Sequence, residues 1–211
     1  MMSVLPELDR TTAEERSSIE RIRTAALKCF ATHGPSSTSL RTVAEVAGVS
    51  IGLVQHHFAN KAGLIKAVDD HVMAVVVATI SEPIPPPPAD SIAEMTSRVT
   101  RIMAEHQDIA DYIGRALIDG SPLGTAIFDT LTAFGIARWN QRGERGETRP
   151  EVDLLWGAIN SLVLALGTLI LRRHIDRQLP EPVTEPNQLE RWQDSVNTLL
   201  RDGLFEPREP R

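Results

Sequence analysis

Five residues with recognition chemistry, Gly52, Leu53, Gln55, His56 and His57, sit among Ile51, Val54 and Phe58, which are spaced for one side of a helix. At roughly 100° per residue, the three apolar side chains cluster. Gly52, Leu53 and His56 then point away from them, and Gln55 and His57 lie on the flanks. That outward set suits the edges of base pairs. A glutamine amide bonds bidentately to adenine, and an apolar side chain meets the thymine methyl. Imidazoles donate to phosphate or base acceptors, and Gly52 lets backbone come close. Adjacent helical residues diverge, so His56 and His57 do not chelate together, and no metal is expected.

These residues need a scaffold, and the flanking sequence supplies one. Ser39 is placed to cap a helix over Leu40–Ala47, and Gly48-Val49-Ser50 reads as a tight turn. Ser50 can satisfy the amides that open a second helix from Ile51 to about His57. The two form a helix-turn-helix, with Val43, Ala44, Ala47, Val54 and Phe58 facing a small core. Ahead of it, Thr12 and Glu15 have capping-box spacing for a helix from about Ala13 to His33, stopped by Gly34 and Pro35. Ile19, Ile22, Ala26 and Phe30 mark its buried face. Behind it, Asn60 caps a helix that starts at Lys61 and carries Leu64, Val68, Val72, Val75 and Thr79 on one stripe.

The segment from about Arg21 to Val72 resembles the TetR family of one-component repressors. The pattern runs through Phe30, Gly34, Thr38-Ser39-Leu40-Arg41, Val43-Ala44, Ala47-Gly48-Val49-Ser50, Gly52, Val54, Phe58, Asn60-Lys61 and Leu64. The family usually has an aromatic residue at Gln55, often Tyr at His57 and Thr at Leu53, and an acidic residue near Ala62 or Gly63. Those departures bear on the operator sequence, not the fold. By position, the resemblance implies phosphate contacts from Ser39, His57 and Lys61 and base readers at Gly52, Leu53, Gln55 and His56. Arg41 adds a backbone contact. It also implies a homodimer on a near-palindromic site of double-stranded DNA, and a small-molecule effector.

Beyond residue 72 the chain reads as a second, larger helical body. The tract Pro83–Pro88 cannot be helical and reads as a spacer rather than as a ligand for a proline-binding module. Helices are expected from about Ser91 to Asn140, broken near His106 and at Gly120-Ser121-Pro122. Gln141–Thr148 reads as a charged loop and Gln178–Pro186 as a second loop. A long apolar helix is expected over about Pro150–Arg173, and a last one over about Asn187–Gly203. Leu154–Leu171 is nearly apolar, which leaves two readings, a membrane span or a helix buried from several directions. The three-and-four spacing of Val152, Leu155, Ile159, Leu162, Leu166 and Leu169 favours the second. With Leu189, Trp192, Val196 and Leu199 on the last helix, these predict a four-helix interface between two copies. Its core residues would be Leu155, Ile159, Leu162, Leu166, Leu189, Trp192 and Val196. Met95, Met103, Tyr112, Phe128, Phe134, Trp139, Trp156 and Asn160 are candidates for an effector pocket, with ordinary core as the alternative for each.

The net charge of −6 taken over the whole chain argues against nucleic acid, but residues 1–70 hold eight basic and eight acidic side chains, so the acidity lies in the body. The polar, acidic N-terminus does not read as a signal peptide, and the lone Cys29 fits a reducing cytoplasm and a packed core. No nucleotide-binding glycine loop, metal cluster or nucleophile–base motif is present in the sequence, so neither enzymatic activity nor a cofactor is expected. The sequence thus predicts an all-α chain, with a three-helix helix-turn-helix domain over 13–60 and a helical effector-binding and dimerisation domain over 61–205. The function expected is sequence-specific transcriptional regulation, most simply repression relieved by a small, largely apolar effector. Two other readings remain, a helical enzyme or ligand carrier with an incidental helix-turn-helix, and an architectural DNA-binding protein without a ligand.

Overall fold

The structure, a computed structural model, describes residues 5–83, 91–146, 148–149 and 151–204. Ten α-helices run in chain order: α1 Leu5–His33, α2 Leu40–Ala47, α3 Ile51–Phe58, α4 Lys61–Ser81, α5 Ser91–Glu105, α6 Gln107–Ile118, α7 Pro122–Glu144, α8 Leu154–Ile170, α9 Arg172–Ile175 and α10 Pro186–Leu204. The expected spacer at 84–88, the opening of a helix at Pro150 and the tail after Phe205 lie outside the described residues. The chain divides into two compact units, 1–72 and 73–211, with the division inside α4.

In the first unit, α1 packs on α2 and α2 on α3, and Ile22, Ala26 and Phe30 of α1, Val43 of α2, Val54 of α3, and Leu64, Val68 and Val72 of α4 are all buried. The spacing of these residues is the sequence-level cause of the packing, because each set recurs on one helical face. Further along α4 the expected stripe shifts by one residue. Val76 is buried and Val75 only half-buried. Cys29 is buried, and that burial pushes its thiol pKa up against the opposing effect of Lys28, as expected of a packed residue.

In the second unit, α7 packs on α6 and α8, and α10 packs on α5. Small residues bring α7 and α8 together. A Cβ on Gly135 would lie 3.2 Å from the Ala158 side chain, and Gly157 faces the Trp139 ring. Ser121 caps α7 by accepting from the Gly124 amide, and Pro122 takes the first helical position, where a missing N–H costs nothing. This break and the one at His106 fall where the sequence puts them. However, α7 continues to Glu144, four residues past its expected end. Helix α8 starts at Leu154 because Asp153 accepts from the Leu155 and Trp156 amides. It ends at Ile170, three residues short of expectation. Among the described residues no single helix is long and apolar enough to cross a membrane, and α8 and the segment after it are bent by 69°.

Arg98 of α5 joins three elements while only 2% exposed. It donates to the carbonyls of Thr79, Ile80, Glu82 and Pro83 at 2.8–3.4 Å, and to the Glu94 carboxylate at 3.1 Å. A helix ends with carbonyls that lack an internal partner, and here one buried guanidinium supplies several. Replacing Arg98 by Met should cost about 3 kcal/mol, because it strands those carbonyls and the Glu94 charge. Urea unfolding followed by circular dichroism measures this. A loss below about 1 kcal/mol would show that water replaces the guanidinium without penalty.

Candidate functional site

The first candidate site is the α2–α3 pair, and its geometry is set by capping. Ser39 caps α2 by accepting from the Thr42 amide at 3.0 Å and shares a hydrogen bond with the Thr42 hydroxyl at 2.8 Å. Gly48 ends α2 at φ 65°, ψ 39°, a left-handed conformation that glycine adopts without strain. Ser50 then opens α3, its hydroxyl accepting from the Leu53 amide at 3.1 Å. Arg21 of α1 fixes the turn from outside, donating to the carbonyls of Ala47 and Gly48 at 3.2 Å each. Thr38, buried, donates to the Gly34 and Cys29 carbonyls and anchors the segment before α2.

This frame leaves Ile51, Gly52, Gln55 and His56 exposed on α3, while Val54 and Phe58 are buried. Ile51 departs from the expected core role. It is 45% exposed, since Val54 and Phe58 anchor the helix and the first turn projects past the core. Leu53 and His57 are half-buried on the flanks. The His57 Nε2 is covered and has no hydrogen-bond partner, so that atom meets a phosphate only if the ring turns. Arg41 is exposed and pairs with Glu45 at 3.2 Å. Lys61 donates from Nζ to the Ser36 carbonyl at 2.8 Å, holding the start of α4 beside the segment before α2.

The corner between α3 and α4 is strained. Ala59 adopts φ 56°, ψ −55°, and the Asn60 amide donates back to the Phe58 carbonyl at 2.5 Å, which is a γ-turn. Asn60 caps α4 through the Gly63 amide at 2.9 Å, as its position before Lys61 predicts. Gly63 itself has no room, because a Cβ there would lie 2.3 Å from the Phe58 carbonyl oxygen.

The second candidate site is a cavity of about 590 Å³ inside the second unit. Of the sequence candidates, Met95, Phe134 and Trp139 line it. Met103 is instead buried in a cluster with Val183 and Leu189, and Tyr112 is buried in α6. Phe128 is half-buried away from the cavity, and Trp156 and Asn160 are exposed. Leu162, Leu166, Trp192 and Val196, read from the sequence as interface residues, turn toward the cavity. Leu166, Leu189 and Val196 are buried within the chain itself, Leu189 and Val196 because α10 lies on α5. The exposed apolar residues of α8 and α10 are Leu155 at 49%, Trp156 at 57%, Val163 at 56% and Leu199 at 59%, with Ile159 half-buried. Four arginines, Arg98, Arg138, Arg142 and Arg145, also line the cavity, and no aromatic or aliphatic pattern foretells them.

Residues 22–68 match the family model of bacterial regulatory proteins, tetR family. That match covers the helix-turn-helix segment alone. The chain is also similar to the HTH-type transcriptional regulatory protein RaaS of Mycobacterium tuberculosis, at 56% identity over 52 residues, 25% of this chain and 24% of that protein. It is 35% identical over 127 residues to the HTH-type transcriptional repressor Rv3405c of the same organism, 58% of this chain and 60% of that one. It therefore spans from about a quarter to three fifths of the length of these relatives. Among solved structures, SmeT, the repressor of the Stenotrophomonas maltophilia efflux pump SmeDEF, superposes with a TM-score of 0.66 at 21% identity, covering 90% of this chain and 91% of that one. At that identity the likeness is one of fold. The tetR-family match lies on the helix-turn-helix and the first half of α4, and stops short of the cavity.

The α3–α4 corner, inside the matched segment, allows a paired test. Ala59→Gly should raise stability by about 0.5–1 kcal/mol by relieving the positive φ. Gly63→Ala should lower it by about 1–3 kcal/mol, since backbone must move to admit the methyl. Urea midpoints at unchanged slope measure both. Equal and small effects at the two positions would mean that the corner is relaxed in solution.

Proposed function

We propose that the chain is a homodimeric, sequence-specific regulator of transcription that acts in the cytoplasm and is released from double-stranded DNA by a small-molecule effector. The observation that carries the reading is the exposed arc of α3. Gly52, Gln55 and His56 are exposed to solvent on a helix opened by the Ser50 cap. An eight-residue helix of this kind enters a major groove and reads base edges with its first turns. Ser39 and Lys61 flank it on the side of the free amides of α2 and α4, which favour phosphate. Leu53 and His57 serve as flanking contacts and Arg41 as a backbone contact. On this reading 13–60 is the DNA-binding domain and 61–205 the effector-binding and dimerisation domain.

Two further parts support the reading. The apolar exposed residues of α8 and α10 need a cover, and a second copy meeting through the same face supplies one by two-fold symmetry. The cavity, of ligand-pocket size and mostly apolar, suits an effector. The relatives are named as regulators.

Selection from a random DNA pool tests the whole reading, and one enriched near-palindrome is the expected result. On that site, Gln55→Ala should cost about 1–3 kcal/mol and blur one base position. Lys61→Ala should weaken all sequences alike and reduce the salt slope by about one. A pool that stays random after selection would remove the proposed function.

The interface has its own test. Leu155→Glu with Val163→Glu places charge on a face that one protomer leaves exposed, so the fold should survive. Four carboxylates, two from each copy, buried at a dimer interface would cost several kcal/mol, and sedimentation should show helical monomers. A dimer of unchanged affinity would place the contact elsewhere.

A further inference from the structure

Resting on the reading of the cavity as an effector site, we infer that its ligand is an amphipath with a single anionic head group, held by Arg138. The lining is chemically lopsided. It includes four arginines and no aspartate or glutamate. Arg98 is accounted for by Glu94 and by the carbonyls at the end of α4. Arg142 lies 5.9 Å over the Trp139 ring. Arg138 differs from both. Half-buried on α7, it has one hydrogen bond, to the Ile80 carbonyl at 3.2 Å, and no carboxylate within ion-pair distance among the described residues. Burial first, and then the like charge of Arg98, push its pKa down from the ordinary guanidinium value. Arginine does not give up its proton in a protein, so the cost stands as an uncompensated charge.

An anion placed beside Arg138 removes that cost, and a carboxylate does so with two parallel hydrogen bonds. The remaining wall decides the tail. Met95, Val99, Ile113, Phe134, Leu162 and Trp192 present aliphatic and aromatic surface with no charged group. A neutral hydrocarbon would leave the guanidinium unpaired, and a cationic amphipath would add a fifth positive charge. The chemistry thus selects an alkyl or aryl monocarboxylate over an alcohol or amine of equal length.

Calorimetric titration of the full chain with decanoate, decanol and decyltrimethylammonium tests this. Decanoate should bind at least about tenfold tighter than decanol, the worth of a charge-assisted hydrogen bond, and the cation weakest. Arg138→Gln should abolish the preference while leaving decanol affinity unchanged, and Arg138→Lys should keep most of it. Melting curves show whether each variant is folded. Equal binding of decanoate and decanol by the natural protein would overturn the inference while leaving the cavity as an apolar effector site. Retention of the decanoate preference by a folded Arg138→Gln variant would also overturn it. Failure of all three probes to bind at millimolar concentration would remove the effector reading and this inference together.

Discussion

The free carbonyls that close a helix must be satisfied somewhere, and the way α4 meets that demand organises much of the second unit. At its end, Thr79, Ile80 and the two residues beyond the helix accept from Arg98 on α5, while Ile80 also accepts from Arg138 on α7. Neither guanidinium is local in sequence, lying 15–19 and 58 residues from its acceptors. The result is that α4, α5 and α7 converge at one point on the rim of the cavity. Glu94 holds Arg98 in place, and Glu82 accepts from Arg101 at 2.7 Å, an ion pair that lowers the Glu82 pKa. That exposed pair adds little stability by itself, and the weight falls on the buried Arg98.

The helix-turn-helix and most of the helices were readable because their causes are local, but α1 begins at Leu5 and runs through Thr12 and Glu15, so the capping box expected there does not open it. A cap is a serine, aspartate or asparagine two or three residues before the amide it accepts from, and a stripe is a spacing of three or four. Ser39, Ser50, Asn60 and Ser121 all follow that rule. The misses have physical reasons too. Periodicity alone placed Ile51 inside, but α3 is only eight residues long and its first turn overhangs the core. The late start of α8 follows from Asp153, which caps Leu155 and Trp156 and was not among the expected caps. The extension of α7 through Gly143 shows a charged, glycine-containing run held helical by packing, with Leu154 against Gly143.

The cavity was less legible because its cause is not local. Aromatic and sulfur side chains mark apolar surface without saying which way it faces. Phe134 and Trp139 face the cavity, while Tyr112 and Met103 fill solid core. The apolar helix α8 held the same ambiguity in a sharper form. A helix with apolar residues all round has two faces to bury, and the sequence does not say which face meets its own chain. Burial resolves it, with Ala158, Leu162 and Leu166 inward and Leu155, Trp156 and Val163 outward. Arg21 on the turn of the helix-turn-helix and Arg138 beside the cavity were invisible for the same reason. A long, flexible cation gives no periodic signal, and its acceptor is a carbonyl that every residue carries.

The double role of Arg138 bears on how the proposed effector would act. A ligand shifts an equilibrium only by its difference in affinity for two states, so a tight ligand with equal affinity for both does nothing. An anion that takes the edge of Arg138 now bonded to the Ile80 carbonyl would compete with it, and Ile80 is in the last turn of α4. The bound state therefore favours any arrangement in which that turn no longer needs Arg138, and the free state favours the one seen here. The difference at stake is about one hydrogen bond to a charged group, roughly 1.5–3 kcal/mol. That is the size of a typical coupling between two sites, about 1–3 kcal/mol, or 5–150-fold in affinity. No larger rearrangement is required by the energetics. The helix so affected begins at Lys61, in the unit that carries the reading face, so the same covalent helix has a terminus at each proposed site. By reciprocity, DNA held by the first unit must weaken the anion by the same factor that the anion weakens DNA. On the proposed reading, a ligand lacking the charge would fill the same cavity and leave the Ile80 bond untouched, so affinity for the cavity and effect on DNA would be separable.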